Sequence, residues 1–171
     1  MPPQLLERET KWNFLDALLG REEDVARFFC DGCVYEMSVV SAEILKSFGT
    51  QHIRDKHHVN LVFTYDSSSR QSWDEMAASY EEIRGRCEKV GVQFTTMLLA
   101  MGEGQEGKTF ASQRACLSAE YSPITGHGIC SAFASLVEHT HGAQTRDGNV
   151  APIDSPAKVA HTLFSAAPGD E

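Results

Sequence analysis

A chain of 171 residues with 42% hydrophobic content is long enough to bury a core as one domain. Its formal charge is −9, from 24 Asp and Glu against 15 Lys and Arg, and no basic stripe of the kind a phosphate backbone needs is present, which argues against nucleic-acid binding. No apolar run approaches about 20 residues, so no membrane-spanning helix is expected.

The opening "MPPQLLERETK" lacks the basic-then-apolar order of a secretory leader. An odd count of five cysteines in such a chain favours free thiols and a cytoplasmic setting. Trp12, Leu15, Leu18 and Leu19 recur at helical spacing between a capping Thr10 and Gly20. Val25, Phe28 and Phe29 mark a second, short helix across "REEDVARFF". Cys30-Asp31-Gly32-Cys33 comes next. A structural zinc site needs four ligands, and Cys87, Cys116 and Cys130 are singletons. A redox C-x-x-C opens a helix, whereas this one precedes the β-favouring Val34-Tyr35. The motif therefore reads as a helix-to-strand turn, with Asp31-Gly32 at its tip.

"CVYEMSVV" has strand composition, "SAEILKSFGTQHIRDKHH" is helical on either side of Gly49, and "VNLVFTY" is a second strand. After the loop "DSSSRQ", Ser72 and Glu75 have capping-box spacing. Trp73, Met76, Tyr80, Ile83 and Cys87 then define a helix of about 17 residues that ends near Gly91. The remainder reads as antiparallel sheet: "VQFTTMLLAM", the turn "GEGQEG", "TFASQRACLSAEY", the turn "SPITGHG", "ICSAFASLVEHTH", and "RDGN" feeding "VAPI". The tail "SAAPGDE" reads as disordered. Strand alternation puts Ser112, Arg114, Cys116, Ser118 and Glu120 on one face, either lining a cavity or solvated, with the small Ala111, Ala115 and Ala119 on the other.

The order of these elements, carried by "FLDALLGREEDVARFFCDGCVYEM", "GTQHIRDKHH" and the strand end "RDGNV", resembles the nuclear transport factor 2-like superfamily. That superfamily includes SnoaL-like polyketide cyclases, ketosteroid isomerase, scytalone dehydratase and limonene epoxide hydrolase. The resemblance covers roughly residues 10–155 of a single domain spanning 1–171, with 165–171 as tail. It implies an α+β fold: a cone-shaped α+β barrel in which a strongly curved antiparallel sheet wraps around the N-terminal helices. The cone's open end would admit a small apolar molecule, and its outer sheet face would form a homodimer. The ketosteroid isomerase base falls near Met37 and its oxyanion-hole acid near Ala134 or Ser135. The scytalone dehydratase tyrosine also falls on Met37. "FLDAL" and Tyr35 have counterparts in limonene epoxide hydrolase. There Arg114 matches the catalytic arginine, but Cys116 replaces the aspartate and Met37 the water-holding asparagine.

Such a pocket implies acid–base chemistry. Tyr35 and Arg114 would polarise a substrate oxygen, while His127, His139 or Asp16 would move the proton, with His52 and His57 as further candidates. Met37, His52, Cys116, Phe94, Phe133 and Trp73 would contact substrate. Read as a strand, His139-Thr140-His141 with Glu138 adjacent would need a third ligand to hold zinc; no metal and no cofactor is assigned. "GEGQEG" has the letters of a dinucleotide loop but joins two strands in this reading, where such a loop needs a strand-to-helix turn. The expectation is a cofactor-independent isomerase, cyclase or dehydratase acting on an apolar, polyketide or terpenoid, substrate. The alternatives are a non-catalytic ligand-binding or dimerisation module of the same fold, and an epoxide hydrolase.

Overall fold

The structure is a computed structural model. It describes residues 4–7, 25–31, 33–41, 58–146 and 158–165, with side chains at Cys30, Asp31 and from 59 to 146. The described strands are β1 (Gln4–Glu7), β2 (Val25–Cys30), β3 (Cys33–Ser41), β4 (His58–Asp66), β5 (Gln93–Met101), β6 (Leu117–Tyr121) and β7 (Lys158–Ser165). The described helices are α1 (Arg70–Val90), α2 (Gln105–Gln113) and α3 (Ile129–Arg146). The strands form one open sheet in the order β1-β2-β3-β7-β4-β5-β6. β1, β2 and β3 pair antiparallel, whereas β3, β7, β4, β5 and β6 pair parallel.

β4 and β5 are the centre of the parallel part, and their sequences show why. Both are nearly unbroken apolar or Thr runs, buried from Val59 to Tyr65 and from Thr95 to Ala100. Strands covered on both faces need that composition. Val59, Leu61, Phe63 and Tyr65 of β4 pack with Trp73, Met76, Tyr80 and Ile83 of α1. Val62, Met97 and Leu99 pack instead with Phe133, Leu136 and Val137 of α3. Right-handed crossovers account for the split. The path β4–β5–β6 moves one way along the sheet and leaves α1 and α2 on one face. The return from β6 to β7 runs the other way and puts α3 on the opposite face.

Local signals fix the helix ends. Ser69 Oγ accepts the Ser72 N–H at 3.2 Å and caps α1, three residues before the expected cap. Gly91, at φ 71°, closes α1 with its N–H on the Cys87 and Glu88 carbonyls. In α3, Ile129, Ala132, Phe133, Leu136, Val137 and Thr140 are buried at helical spacing.

Several expectations are overturned. The parallel ladders of β4, β5 and β6, with helices between them, exclude a strongly curved antiparallel cone. The segment 105–113 is helical, and only 117–121 of the expected long strand pairs in the sheet. "ICSAFASLVEHTH" is the body of α3. "VARFFC" is a strand, so Asp31 sits in the turn of the β2–β3 hairpin, where Cys30 and Cys33 face each other in register. Ser165 ends β7, so the expected tail at 165–171 does not begin there, and Arg146 of "RDGN" ends α3. The expected helices at 10–20 and 42–57, Asp147 to Asn149 with "VAPI", and residues 166–171 lie outside the described residues.

Candidate functional site

β6 joins the ladder only at Met97–Leu117, well along β5. Among the described residues, no strand pairs with the first residues of β5 on that side, and they form a rim. A cleft of about 230 Å³ opens there, lined by Phe94, Thr95 and Thr96 of β5, Tyr80 and Arg84 of α1, Arg114 and Cys116 around the end of α2, and His139 of α3.

Each wall has a local cause. Tyr80, only 1% exposed, is held edge-on between Phe63 and Phe110, with ring centroids at 5.5 and 5.2 Å. Arg84 lies one turn on, and its Nη1 donates to the Tyr80 hydroxyl at 3.4 Å. Arg114 is the C-cap of α2, and its guanidinium lies 3.7 Å from the Phe110 ring centre. Ala115 follows at φ 54°, a left-handed conformation, and the Cys116 N–H returns to the Ala111 carbonyl at 2.9 Å. This Schellman-type closure turns the chain so that Arg114 and Cys116 border the same cleft. Tyr80 Oη and Cys116 Sγ are 3.6 Å apart.

Electrostatics define what these groups can do. Burial, and then the Cys116 contact, push the Tyr80 phenol up to about 12, against the pull of Arg84. Burial also raises the Cys116 thiol, although the Tyr80 hydrogen bond and the charges of Arg84 and Arg114 act the other way. Both groups are therefore protonated donors at neutral pH, and Cys116 is not a resting thiolate nucleophile. Two arginines face one carboxylate, Glu88, on the cleft wall. Arg84 Nε contacts Glu88 at 2.8 Å, and Arg114 contacts Glu81, away from the wall, at 3.4 Å. These are surface pairs that an entering anion can displace at small cost.

The carboxyl ends of β4, β5 and β6 are built differently. Open parallel sheets commonly bind ligands at that end. Here "GEGQEG" is a strand-to-helix turn from β5 into α2, so the expectation that it joins two strands fails. It is still not a phosphate loop, for another reason. The Gly104 N–H at the α2 N-terminus donates to Glu120 at 2.9 Å, and Lys108 holds the same carboxylate at 2.7 Å. Tyr65 packs against Gly104 and Gly107, where any Cβ would overlap its hydroxyl. An incoming phosphate would meet a carboxylate in the place where the helix offers its N–H groups.

Of the residues singled out from sequence, Arg114, Cys116, His139 and Phe94 line the cleft. Trp73 is 8% exposed, edge-on to Tyr65 and Phe110, and Phe133 is fully buried beneath α3; both are core rather than pocket wall. His127 is exposed in the turn before α3, at the carboxyl end of the sheet. Tyr35 and Met37 fall on β3, opposite Lys158 and Ala160 of β7, and their side chains lie outside the described residues. Asp16, His52 and His57 lie outside them altogether. Sequence reasoning missed Tyr80 and Arg84, although a Tyr and an Arg one turn apart on an amphipathic helix are the signal for a polar group at the edge of a buried stripe. No protein-family model and no curated protein matches this chain.

Proposed function

We propose that this chain is a small-molecule-binding α/β domain whose cleft at the amino end of β5 takes a compact anion with an apolar portion, such as a small carboxylate. The observation that carries this reading is the pair of guanidinium groups, Arg84 and Arg114, flanking the Tyr80–Cys116 donor pair on an aromatic floor. Arginine offers planar, always-charged donors suited to carboxylates. The cleft, at about 230 Å³, is smaller than the roughly 300–1,000 Å³ typical of drug-sized ligands, so a metabolite of few atoms fits. Among the described residues no helix is long and apolar enough to cross a membrane.

The second reading is a cofactor-independent enzyme, such as the isomerase or dehydratase expected from sequence. It is favoured by His139 standing on the same cleft as the Tyr80 phenol, because a histidine can move a proton while a phenol donates to a developing oxyanion.

Calorimetric titration with benzoate, inorganic phosphate and the neutral analogue benzamide tests the first reading. Benzoate should bind, benzamide should bind at least about tenfold more weakly, and Arg114→Gln and Arg84→Gln should each weaken benzoate about tenfold or more. Equal binding of benzoate and benzamide, or binding indifferent to both arginines, would overturn it.

A further inference from the structure

The histidines of His139-Thr140-His141 part company on α3, because two residues make about 200° of helical turn. His139 reaches the cleft, whereas His141 turns toward the β2–β3 hairpin, with Nε2 3.7 Å from the Asp31 carboxylate. We propose that Cys30, Asp31 and His141 bind a divalent ion of the zinc type. This site is independent of the anion cleft.

Three donors from segments more than a hundred residues apart converge: Cys30 Sγ, an Asp31 carboxylate oxygen and a His141 ring nitrogen all lie within 4.8 Å of one another. A tetrahedral zinc shell with bonds of about 2.0–2.3 Å puts its ligands about 3.3–3.8 Å apart. The Asp31–His141 separation is already in that range, and the remaining contraction is of the order of 1 Å. The burial is graded as an ion site requires. Cys30 is 2% exposed at the base, the His141 side chain 13% exposed, and the Asp31 side chain 56% exposed at the mouth. An ion can enter past the exposed Asp31 carboxylate.

The backbone holds the frame. Asp31 has φ 47°, in the left-handed region that Asp tolerates, in the turn between β2 and β3. That tight turn sets Cys30 opposite Cys33 in register. A thiolate, imidazole and carboxylate set selects a borderline-soft ion over calcium or magnesium, which take all-oxygen shells. The bound ion would pin the hairpin to α3 and release the Cys30 thiol proton on binding.

The test is titration of the metal-free full chain with Co²⁺, followed by Zn²⁺. The expected result is one ion per chain, a thiolate-to-cobalt charge-transfer band in the near ultraviolet and tetrahedral bands in the visible, all bleached by zinc. His141→Gln, Asp31→Asn and Cys30→Ser should each weaken cobalt binding by about tenfold or more, since even partners behind a ligand are worth that much. Zinc should raise the melting temperature of the unaltered chain but not of His141→Gln. Cys116→Ser should leave the cobalt spectrum unchanged. If Cys30→Ser does not fold, the His141 and Asp31 variants, at less buried positions, still decide. Absence of the charge-transfer band, or cobalt affinity unchanged in both His141→Gln and Asp31→Asn, would overturn the proposal.

Discussion

The two ends of the parallel sheet use similar residues to opposite effect. At the carboxyl end, polar groups close on one another. Asp66 accepts from the Ser68 hydroxyl and N–H, Ser67 donates to the Met101 carbonyl, and Glu120 takes both the Gly104 N–H and Lys108. At the amino end, Tyr80, Cys116, Arg84 and Arg114 gather around open space. The difference follows from strand length. β6 spans the carboxyl half of β5 and its loops seal that end, while the amino half of β5 is left as a rim. A usual ligand-binding position can thus be closed by its own side chains, and a short edge strand can open another.

The largest expected effect concerns what both ends share. Phe133→Ala should cost about 3–5 kcal/mol of stability, measured by urea unfolding, because it empties a fully buried site between the sheet and α3. Benzoate affinity of the folded fraction should be unchanged. A specific loss of binding with little loss of stability would instead put Phe133 on a pocket wall.

Gly107→Ala probes the sealed end. Its new Cβ would overlap the Tyr65 hydroxyl and ring, and overpacking of this kind costs about 1–3 kcal/mol. Thermal unfolding should show that loss without a change in benzoate binding. A neutral result would mean that the carboxyl end is looser than its packing indicates.

Acid sharpens the comparison further. The Lys108 ammonium and then the Gly104 N–H hold the Glu120 carboxyl below its ordinary 4.5. A carboxyl depressed in the folded state stabilises above its unfolded pKa, and that stability is lost as pH falls through 4.5 toward the lower folded value. Glu120→Gln should therefore cost about 0.5 kcal/mol at pH 7, given its solvent exposure, and progressively less as the pH falls below 4.5. An equal cost at every pH would show that the carboxylate charge is irrelevant.

The thiols give an order rather than a magnitude. Peptide mapping during iodoacetamide treatment should find exposed Cys130 modified first and Cys116 later. Cys87, fully buried and pushed up to about 11 by burial, should react only on unfolding. Early modification of Cys116 would reveal a reactive thiolate and favour the catalytic reading. A gain rather than a loss is expected at Ala115, whose left-handed φ of 54° suits glycine better. Ala115→Gly should stabilise by at most about 1 kcal/mol, or roughly 2–4 °C in melting temperature.

Much of this fold was written in the sequence in terms that were read with the wrong period. α1 was legible because its buried positions recur at three and four and are bounded by Ser and Gly. The burial of β4 and β5 on both faces was also legible, since "VNLVFTY" and "TTMLLAM" are apolar without alternation, the mark of parallel strands. That mark argues against an antiparallel cone. Ile129, Ala132, Phe133, Leu136 and Val137 have helical spacing, but the β-favouring Ile, Phe and Val made the segment look like a strand. The small residues of 109–116 gave neither period a strong voice, so α2 was missed. In the site, Arg114 and Cys116 were singled out by an alternation that does not exist there. They share a cleft because Ala115 turns the chain between them, and no residue-type preference announces a left-handed alanine. The convergence of Cys30, Asp31 and His141 depends on the return of α3 across the sheet, which local pattern does not encode.

The most direct test of the central claim is an amide ¹H–¹⁵N NMR titration of the full chain with benzoate. The account predicts shifts concentrated at Arg84, Phe94, Thr95, Thr96, Arg114 and Cys116, with the segments 102–107 and 122–128 unmoved. Shifts confined to those two segments would place the ligand at the carboxyl end and contradict the account.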